Sequence, residues 1–114
     1  MLRLSNAALL GALLTLPAVV GGQGAGAAEP GDGQRGLQLA RQVCSSCHAV
    51  EAREVLSPVS QAPTFDEVAD RPGVTGMGLT VFLRTPHRSM PDLILKPGEI
   101  DDIVAHILGL KGGD

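Results

Sequence analysis

The feature that most constrains this chain is the pentapeptide Cys44-Ser45-Ser46-Cys47-His48. Because two residues separate the thiols, both can add to the vinyl groups of one porphyrin, and the histidine that follows is delivered beneath the iron. The C-x-x-C-H pattern is the attachment signal for haem c and differs from a plain C-x-x-C. The motif therefore predicts one covalent haem c, bound by Cys44 and Cys47, with His48 as an axial ligand.

Three other uses of the two cysteines fit the sequence less well. A thioredoxin-like redox pair would need a βαβ context, whereas the periodicity of this chain is helical. A structural zinc site would need four ligands, and the motif supplies three. A disulfide between Cys44 and Cys47 would close a very short loop and constrain little of the unfolded chain.

The composition predicts a core that a haem would complete. The chain has 114 residues, of which 44% are hydrophobic, and this suits one small domain with one core. It contains no Trp and no Tyr, and Phe65 and Phe82 are its two phenylalanines. Because so few bulky rings are present, we expect the haem to occupy part of the interior.

The charge of the chain excludes one class of partner. Its formal net charge is −3 at pH 7. A nucleic-acid binder would need Lys and Arg clustered against phosphate groups. We therefore predict no nucleic-acid partner.

The N-terminal residues are typical of a secretory signal peptide. Arg3 precedes an apolar stretch over residues 4–20, and the small residues at 25–28 resemble an A-x-A cleavage site. We expect residues 1–28 to be removed and residues 29–114 to form a single domain in the periplasm. A retained membrane anchor is the alternative, but the stretch is short for a span of about 20 residues.

Helical periodicity begins after a segment rich in Gly and Ala. Asp32 is a suitable N-cap, and apolar residues at helical spacing predict a first helix from about Gly33 to Cys47. Gly36 lies on the apolar face of this helix. Because a helical Gly costs about 1 kcal/mol relative to Ala, its presence predicts that another backbone passes close by.

Two short helices are predicted in the middle of the chain. Residues 64–67 have a capping-box pattern, which opens a helix that extends to about Asp70. Apolar residues within 79–83 mark a second helix. Pro86 should end it, because proline disfavours the helical conformation of the residue before it.

The last helix has the clearest pattern in the chain. Its apolar residues repeat at i, i+3, i+4, i+7 and i+8, namely Ile100, Ile103, Val104, Ile107 and Leu108. Pro97 suits a first turn, whereas Lys96 is a poor N-cap, so we expect a frayed start or a cap from another group. No strands are predicted, and the fold class is an all-α domain of four or so short helices.

The sixth ligand of the iron determines the function. His/Met ligation suits electron transfer, because the thioether raises the reduction potential and full coordination excludes substrates. Met90 is the favoured ligand, since it lies in an irregular loop that Pro91 would stiffen. His87 would instead give a bis-His site, and Met77, between two glycines, suits a loop or a core position. His106 suits a polar flank of the last helix or a packing position.

The proximal histidine is expected to have a second partner. A ligating His normally donates its other ring N–H to a carbonyl or carboxylate, which fixes its tautomer and its basicity. The carbonyl of Pro63 is our candidate. It follows the irregular segment after His48, and a proline offers an acceptor without a competing N–H.

These residues together resemble the class I c-type cytochromes, especially the small bacterial periplasmic ones. The resemblance covers nearly all of residues 32–111 and rests on Gly36, the motif, residues 62–65, 82–87, Met90-Pro91 and 99–108. It implies the cytochrome c fold, in which short helices wrap around one haem and the first and last helices cross near Gly36. It also implies that Met90 is the distal ligand and that the Pro63 carbonyl orients His48.

The chain departs from the family pattern at the helix crossing. The family often has an aromatic residue in the last helix where this chain has His106, and another in the first helix where this chain has Ala40. These departures predict a less tightly packed crossing.

The leading functional hypothesis is a one-electron carrier that is not an enzyme. It predicts redox protein partners and no small-molecule substrate, and Arg84, Arg88 and Lys96 near Met90 would face an acidic partner. One alternative is a haem sensor or peroxidase-like protein with a labile Met90. Another is the cytochrome c subunit of a larger oxidoreductase complex.

Overall fold

The computed structural model describes residues 30–86 and 88–113, and this part of the chain is helical without strands. It contains four helices, α1 Gly33–Val43, α2 Phe65–Ala69, α3 Gly76–Arg84 and α4 Pro97–Gly109. The predicted all-α class is confirmed. The predicted signal peptide at residues 1–28 lies outside the described residues.

Helix α1 is shorter than the sequence predicts, because it ends at Val43 and not at Cys47. The N–H groups of Cys44 and Ser45 both donate to the carbonyl of Ala40, at 2.8 and 3.0 Å. The second bond spans five residues, so the regular helical ladder stops at this point. The motif therefore lies in a turn that follows the helix.

The crossing of α1 and α4 is close, as Gly36 predicts. A Cβ atom on Gly36 would lie 1.9 Å from the carbonyl oxygen of Asp102. The Asp102 carboxylate accepts from Nε and Nη2 of Arg35, both at 2.9 Å, and from the N–H of Asp32 at 2.6 Å. Ala40 is fully buried. The expectation of a looser crossing is wrong, because the two backbones approach directly at the glycine.

The caps of α1 and α2 are those that the sequence predicts. The Asp32 carboxylate accepts from the N–H groups of the first turn of α1. In α2, the Glu67 N–H donates to Thr64 Oγ1 at 3.1 Å, and the Glu67 carboxylate accepts from the Thr64 N–H at 2.7 Å. This capping box satisfies backbone donors that would otherwise lack helical partners.

Helix α3 begins earlier than the sequence predicts. Thr75 caps it by accepting the Gly78 N–H at 3.0 Å, so Gly76 and Met77 belong to its first turn. Met77 was expected in a loop or in the core, and its side chain is 75% exposed on a helix. That expectation is wrong, because the Thr75 cap and the packing of Gly76 against α4 outweigh the low helical propensity of glycine.

Helix α4 receives its cap from another residue, as expected. Lys96 has no side-chain cap, but its N–H donates to the Glu99 carboxylate at 2.8 Å, and Pro97 opens the first turn. The inner face of α4 packs against the other helices. Its buried residues are Ile100, Ile103, Val104, His106 and Ile107.

The core is built mainly from small and aliphatic side chains. Ile103 is the largest fully buried side chain among the described residues. Phe65 is buried in the core, whereas Phe82 is half exposed on α3. Protein side chains alone therefore bury only one large aromatic ring in the described part of the chain.

Candidate haem-attachment site

The turn after α1 brings the residues of the motif together. Cys44 is buried, Cys47 is half-buried, and no disulfide joins them. The N–H groups of Cys47 and His48 both donate to the Cys44 carbonyl, at 3.1 and 2.9 Å. This tight turn presents two thiols and an imidazole from consecutive positions of one short segment.

Burial raises the pKa of the Cys44 thiol to about 11. Cys44 is therefore a protonated thiol at neutral pH. Redox-active thiol pairs of the thioredoxin type instead have a lowered cysteine pKa and a reactive thiolate. The environment of Cys44 differs from that of such a pair.

The imidazole of His48 is held by a backbone carbonyl. Its Nδ1 lies 2.7 Å from the carbonyl oxygen of Pro63. A carbonyl can only accept, so Nδ1–H donates, and in the neutral ring Nε2 then carries the lone pair. Neutral imidazole with this tautomer is the form in which His binds a metal through Nε2. The geometry matches the arrangement expected from the sequence, and the role of Pro63 in orienting a ligand stays a prediction.

Neighbouring backbone bonds fix the relative position of His48 and Pro63. The Phe65 N–H donates to the Ala49 carbonyl at 2.9 Å, and the Ala49 N–H donates to Ser57 Oγ at 3.0 Å. The Phe65 ring packs against the imidazole of His48, with the ring centroids 5.7 Å apart. The residue after the motif and the residue that begins α2 thus form one hydrogen-bonded unit.

Met90 lies in the segment that connects α3 to α4. It is half-buried and lines a cavity of about 350 Å³, together with Leu83 of α3, Leu95 of the connecting segment and Ile100 of α4. The described lining of this cavity does not include His48. The assignment of Met90 as the partner ligand of His48 stays a prediction.

The other three candidates for the sixth ligand differ in their surroundings. Met77 is exposed on α3, and His106 is buried in α4. His106 Nε2 lies 2.8 Å from the carbonyl oxygen of Val50, so its ring is used in packing and in a hydrogen bond. The sequence indicated the packing but gave no signal for this bond. His87 lies outside the described residues.

The residues of this region fit a haem. Large apolar side chains are exposed in the segments that follow the motif and precede α4, including Val55, Leu56 and Ile94. Two thiols followed by an imidazole with an available Nε2 suit the attachment of a c-type haem.

Clusters of metal-ligating side chains and membrane-spanning helices are both absent from the described residues. No three His, Cys, Asp or Glu side chains converge there in the manner of metal ligands. No helix among residues 30–86 and 88–113 is long and apolar enough to cross a bilayer.

Comparison with known proteins places the chain beside a cytochrome. A cytochrome c-552 of Bradyrhizobium diazoefficiens is 36% identical to this chain over 80 residues, which cover 70% of the chain and 76% of the relative. No protein-family model matches the chain, and no solved structure matches it significantly. The chain belongs to the small c-type cytochromes.

Proposed function

We propose that this c-type cytochrome is a one-electron carrier with a single haem c. Cys44 and Cys47 attach the haem, and His48 and Met90 ligate its iron. The haem supplies a metal centre that alternates between two oxidation states. The polypeptide holds the ligands in place in both states and excludes substrates from the iron, so electrons pass at the haem edge between redox protein partners.

The hydrogen bond between His48 Nδ1 and the Pro63 carbonyl carries this proposal. It selects the tautomer that leaves Nε2 available and holds the ring in one orientation. A carbonyl partner also raises the basicity of a ligating imidazole. A ligand held in this way changes little between oxidation states, as a carrier requires.

Met90 is proposed as the second ligand because of its chemistry and its place in the fold. Met90 lines a cavity together with Leu83 of α3 and Ile100 of α4, and Pro91 restricts the backbone next to it. A thioether ligand raises the reduction potential of the iron. With both axial positions filled, the iron has no open position for a small-molecule substrate.

Redox protein partners follow from the family, and the surface indicates where they would dock. Arg84, Arg88 and Lys96 are exposed near the Met90 segment. Basic groups around a reactive edge attract an acidic partner and raise the rate of encounter at low salt. We propose this face as the docking side, and electron-transfer rates that are independent of ionic strength would contradict it.

Export to the periplasm is proposed from the N-terminal sequence. Residues 1–28 have the composition of a signal peptide. The mass of the purified holoprotein checks the assignment. A mass that includes residues 1–28 would contradict it.

The replacement of Met90 by Ala tests the ligand set. We expect the M90A variant to keep its covalent haem, to lose the Fe–S absorption band of the oxidised protein and to bind carbon monoxide when reduced. M77A is the matched control, because Met77 is exposed on α3, and it should behave like the parent. Retention of the Fe–S band in M90A would exclude Met90 as the ligand.

A further inference from the structure

The hydrogen bond of His106 joins the last helix to the segment that leaves the motif. His106 is only 8% exposed, and its Nε2 lies 2.8 Å from the carbonyl of Val50. Because the carbonyl accepts, Nε2 carries the proton and donates. Val50 is itself buried and lies two residues after His48. Helix α4 is therefore bound to the backbone immediately beyond the proposed ligand.

The segment 49–50 is connected to the carbonyl that holds the His48 ring. Ala49 accepts the Phe65 N–H at 2.9 Å, and Phe65 lies two residues after Pro63. Pro63 in turn accepts from His48 Nδ1 at 2.7 Å. A movement of segment 49–50 would displace Phe65 and, with it, the Pro63 carbonyl.

The Phe65 ring lies between the rings of His48 and His106 and is tilted relative to both, by 50° and 51°. The Phe65 ring lies 5.7 Å from the ring of His48 and 6.0 Å from the ring of His106, measured between centroids. Phe65 is buried in the core. Packing and hydrogen bonding therefore both connect His106 with His48, and the two contributions need separate tests.

We propose that His106 is a positioning residue for the haem ligand His48. Its Nε2–H holds the Val50 carbonyl, and through Ala49 and Phe65 it keeps the Pro63 carbonyl against His48 Nδ1. The inference rests on the proposed function, in which His48 ligates the iron. Without the donor, the buried Val50 carbonyl would lose its partner, and the segment would shift because an unpaired buried carbonyl is costly.

The reduction potential reports this effect. A carbonyl that accepts from the Nδ1–H of a ligating His increases electron donation by the imidazole to the metal. A weaker bond to Pro63 would reduce that donation and favour the reduced iron. Loss of the His106 donor should therefore shift the midpoint potential in the positive direction.

Three variants of the holoprotein separate the hydrogen bond from packing. H106F keeps a ring that can pack on Phe65 but has no N–H donor. H106Q replaces the ring with an amide whose N–H reaches about the position of Nε2. I103V removes one methylene group from a fully buried residue of the same helix, without removing a hydrogen bond, and serves as the control for lost packing.

The midpoint potentials and the absorption spectra of the three variants decide the question. We expect a positive shift in H106F, and potentials close to that of the parent in H106Q and I103V. A parent spectrum without His/Met ligation would overturn the proposed function itself. If the parent shows His/Met ligation, an unchanged midpoint potential in H106F would overturn the role of His106. A shift of the midpoint potential in H106Q or I103V as large as that in H106F would overturn it as well.

A second measurement uses the unaltered protein and is independent of how H106F folds. Nitrogen-15 NMR of the reduced holoprotein reports which ring nitrogen of His106 carries the proton. We expect a slowly exchanging Nε2–H with a through-hydrogen-bond coupling to the Val50 carbonyl. A His106 ring protonated only at Nδ1 would overturn the proposal.

Discussion

The two proposed iron ligands are held in different ways by the protein. On the His48 side, the imidazole is bound to the Pro63 carbonyl, and the flanking backbone is fixed by Ala49 and Phe65. On the Met90 side, the ligand lies in the segment between α3 and α4, where Pro91 is exposed and Ile94 is fully exposed. We refer to these regions as the His48 side and the Met90 side.

The difference separates two tasks of the site. The His48 side is organised by the crossing of α1 and α4 and by hydrogen bonds within the protein. Segments with exposed apolar side chains and few buried contacts open more easily than a packed core. We therefore expect substitutions on the His48 side to affect folding and haem attachment, and those on the Met90 side to affect iron reactivity.

The largest effect is expected from replacement of His48 by Ala. The variant loses the proposed ligand and leaves the Pro63 carbonyl without its donor. We expect at least a tenfold lower yield of six-coordinate holoprotein. Even the loss of a group that hydrogen-bonds to a metal ligand lowers metal affinity or activity about 10- to 100-fold. Absorption spectra of purified protein measure this yield. A normal six-coordinate haem in H48A would contradict the assignment of the His48 side.

A smaller but clear effect is expected from Gly36→Ala at the helix crossing. The new Cβ would lie 1.9 Å from the Asp102 carbonyl oxygen, so α1 and α4 must separate. We expect a loss of about 3 kcal/mol in the free energy of unfolding, the upper part of the usual range for overpacking. Urea denaturation of the holoprotein measures it.

Gly98→Ala is the matched control for this substitution. A Cβ on Gly98 meets no atom within 4 Å, and the residue lies in the first turn of α4. We expect this variant to be as stable as the parent, or more stable by up to about 1 kcal/mol. An equal loss of stability in both variants would show that the crossing is not the cause.

Acid should weaken the same crossing through Asp102. The guanidinium of Arg35, together with the Asp32 N–H, lowers the pKa of the Asp102 carboxyl. A lowered folded pKa stabilises the fold above the unfolded value of about 4, and this contribution is lost as the pH falls through the folded pKa. We expect Asp102→Asn to be less destabilising than Gly36→Ala at pH 7. The difference in the free energy of unfolding between this variant and the parent should shrink below about pH 4. A difference in that free energy that does not depend on pH would contradict the role of Asp102.

The smallest effect is expected on the Met90 side from Pro91→Ala. Pro91 is exposed, and its removal mainly increases the freedom of the unfolded chain, so the free energy of unfolding should change by no more than about 1 kcal/mol. Carbon monoxide binding by the reduced protein should become measurable, because the segment next to Met90 is less restricted. A large loss in the free energy of unfolding without a change in carbon monoxide binding would contradict the view that the Met90 side controls iron reactivity and not folding.

The sequence predicts those parts of the fold that depend on local patterns. The cap at Asp32, the capping box of α2 and the apolar repeat of α4 are encoded within a few residues of each other, and the structure has all three. Gly36 predicts the close crossing in the same way, from a single residue. A glycine inside a helix lowers its stability, so its presence indicates that a side chain would not fit there.

The remaining features depend on contacts between distant residues. The start of α3 at Gly76 depends on packing against Val104 and Leu108 of α4. The hydrogen bond of His106 joins residues 56 positions apart, and the helical pattern around His106 indicates only that the residue faces the core or its edge. The end of α1 depends on the turn that the motif adopts.

The absorption spectrum of the purified holoprotein during a redox titration tests the central assignment most directly. The proposed His48/Met90 ligation predicts a six-coordinate, low-spin haem c in both oxidation states, with an Fe–S band in the oxidised protein. It also predicts one reversible one-electron transition and a reduced spectrum that carbon monoxide does not change. A reduced haem that is five-coordinate, or that binds carbon monoxide in the unaltered protein, would contradict the account.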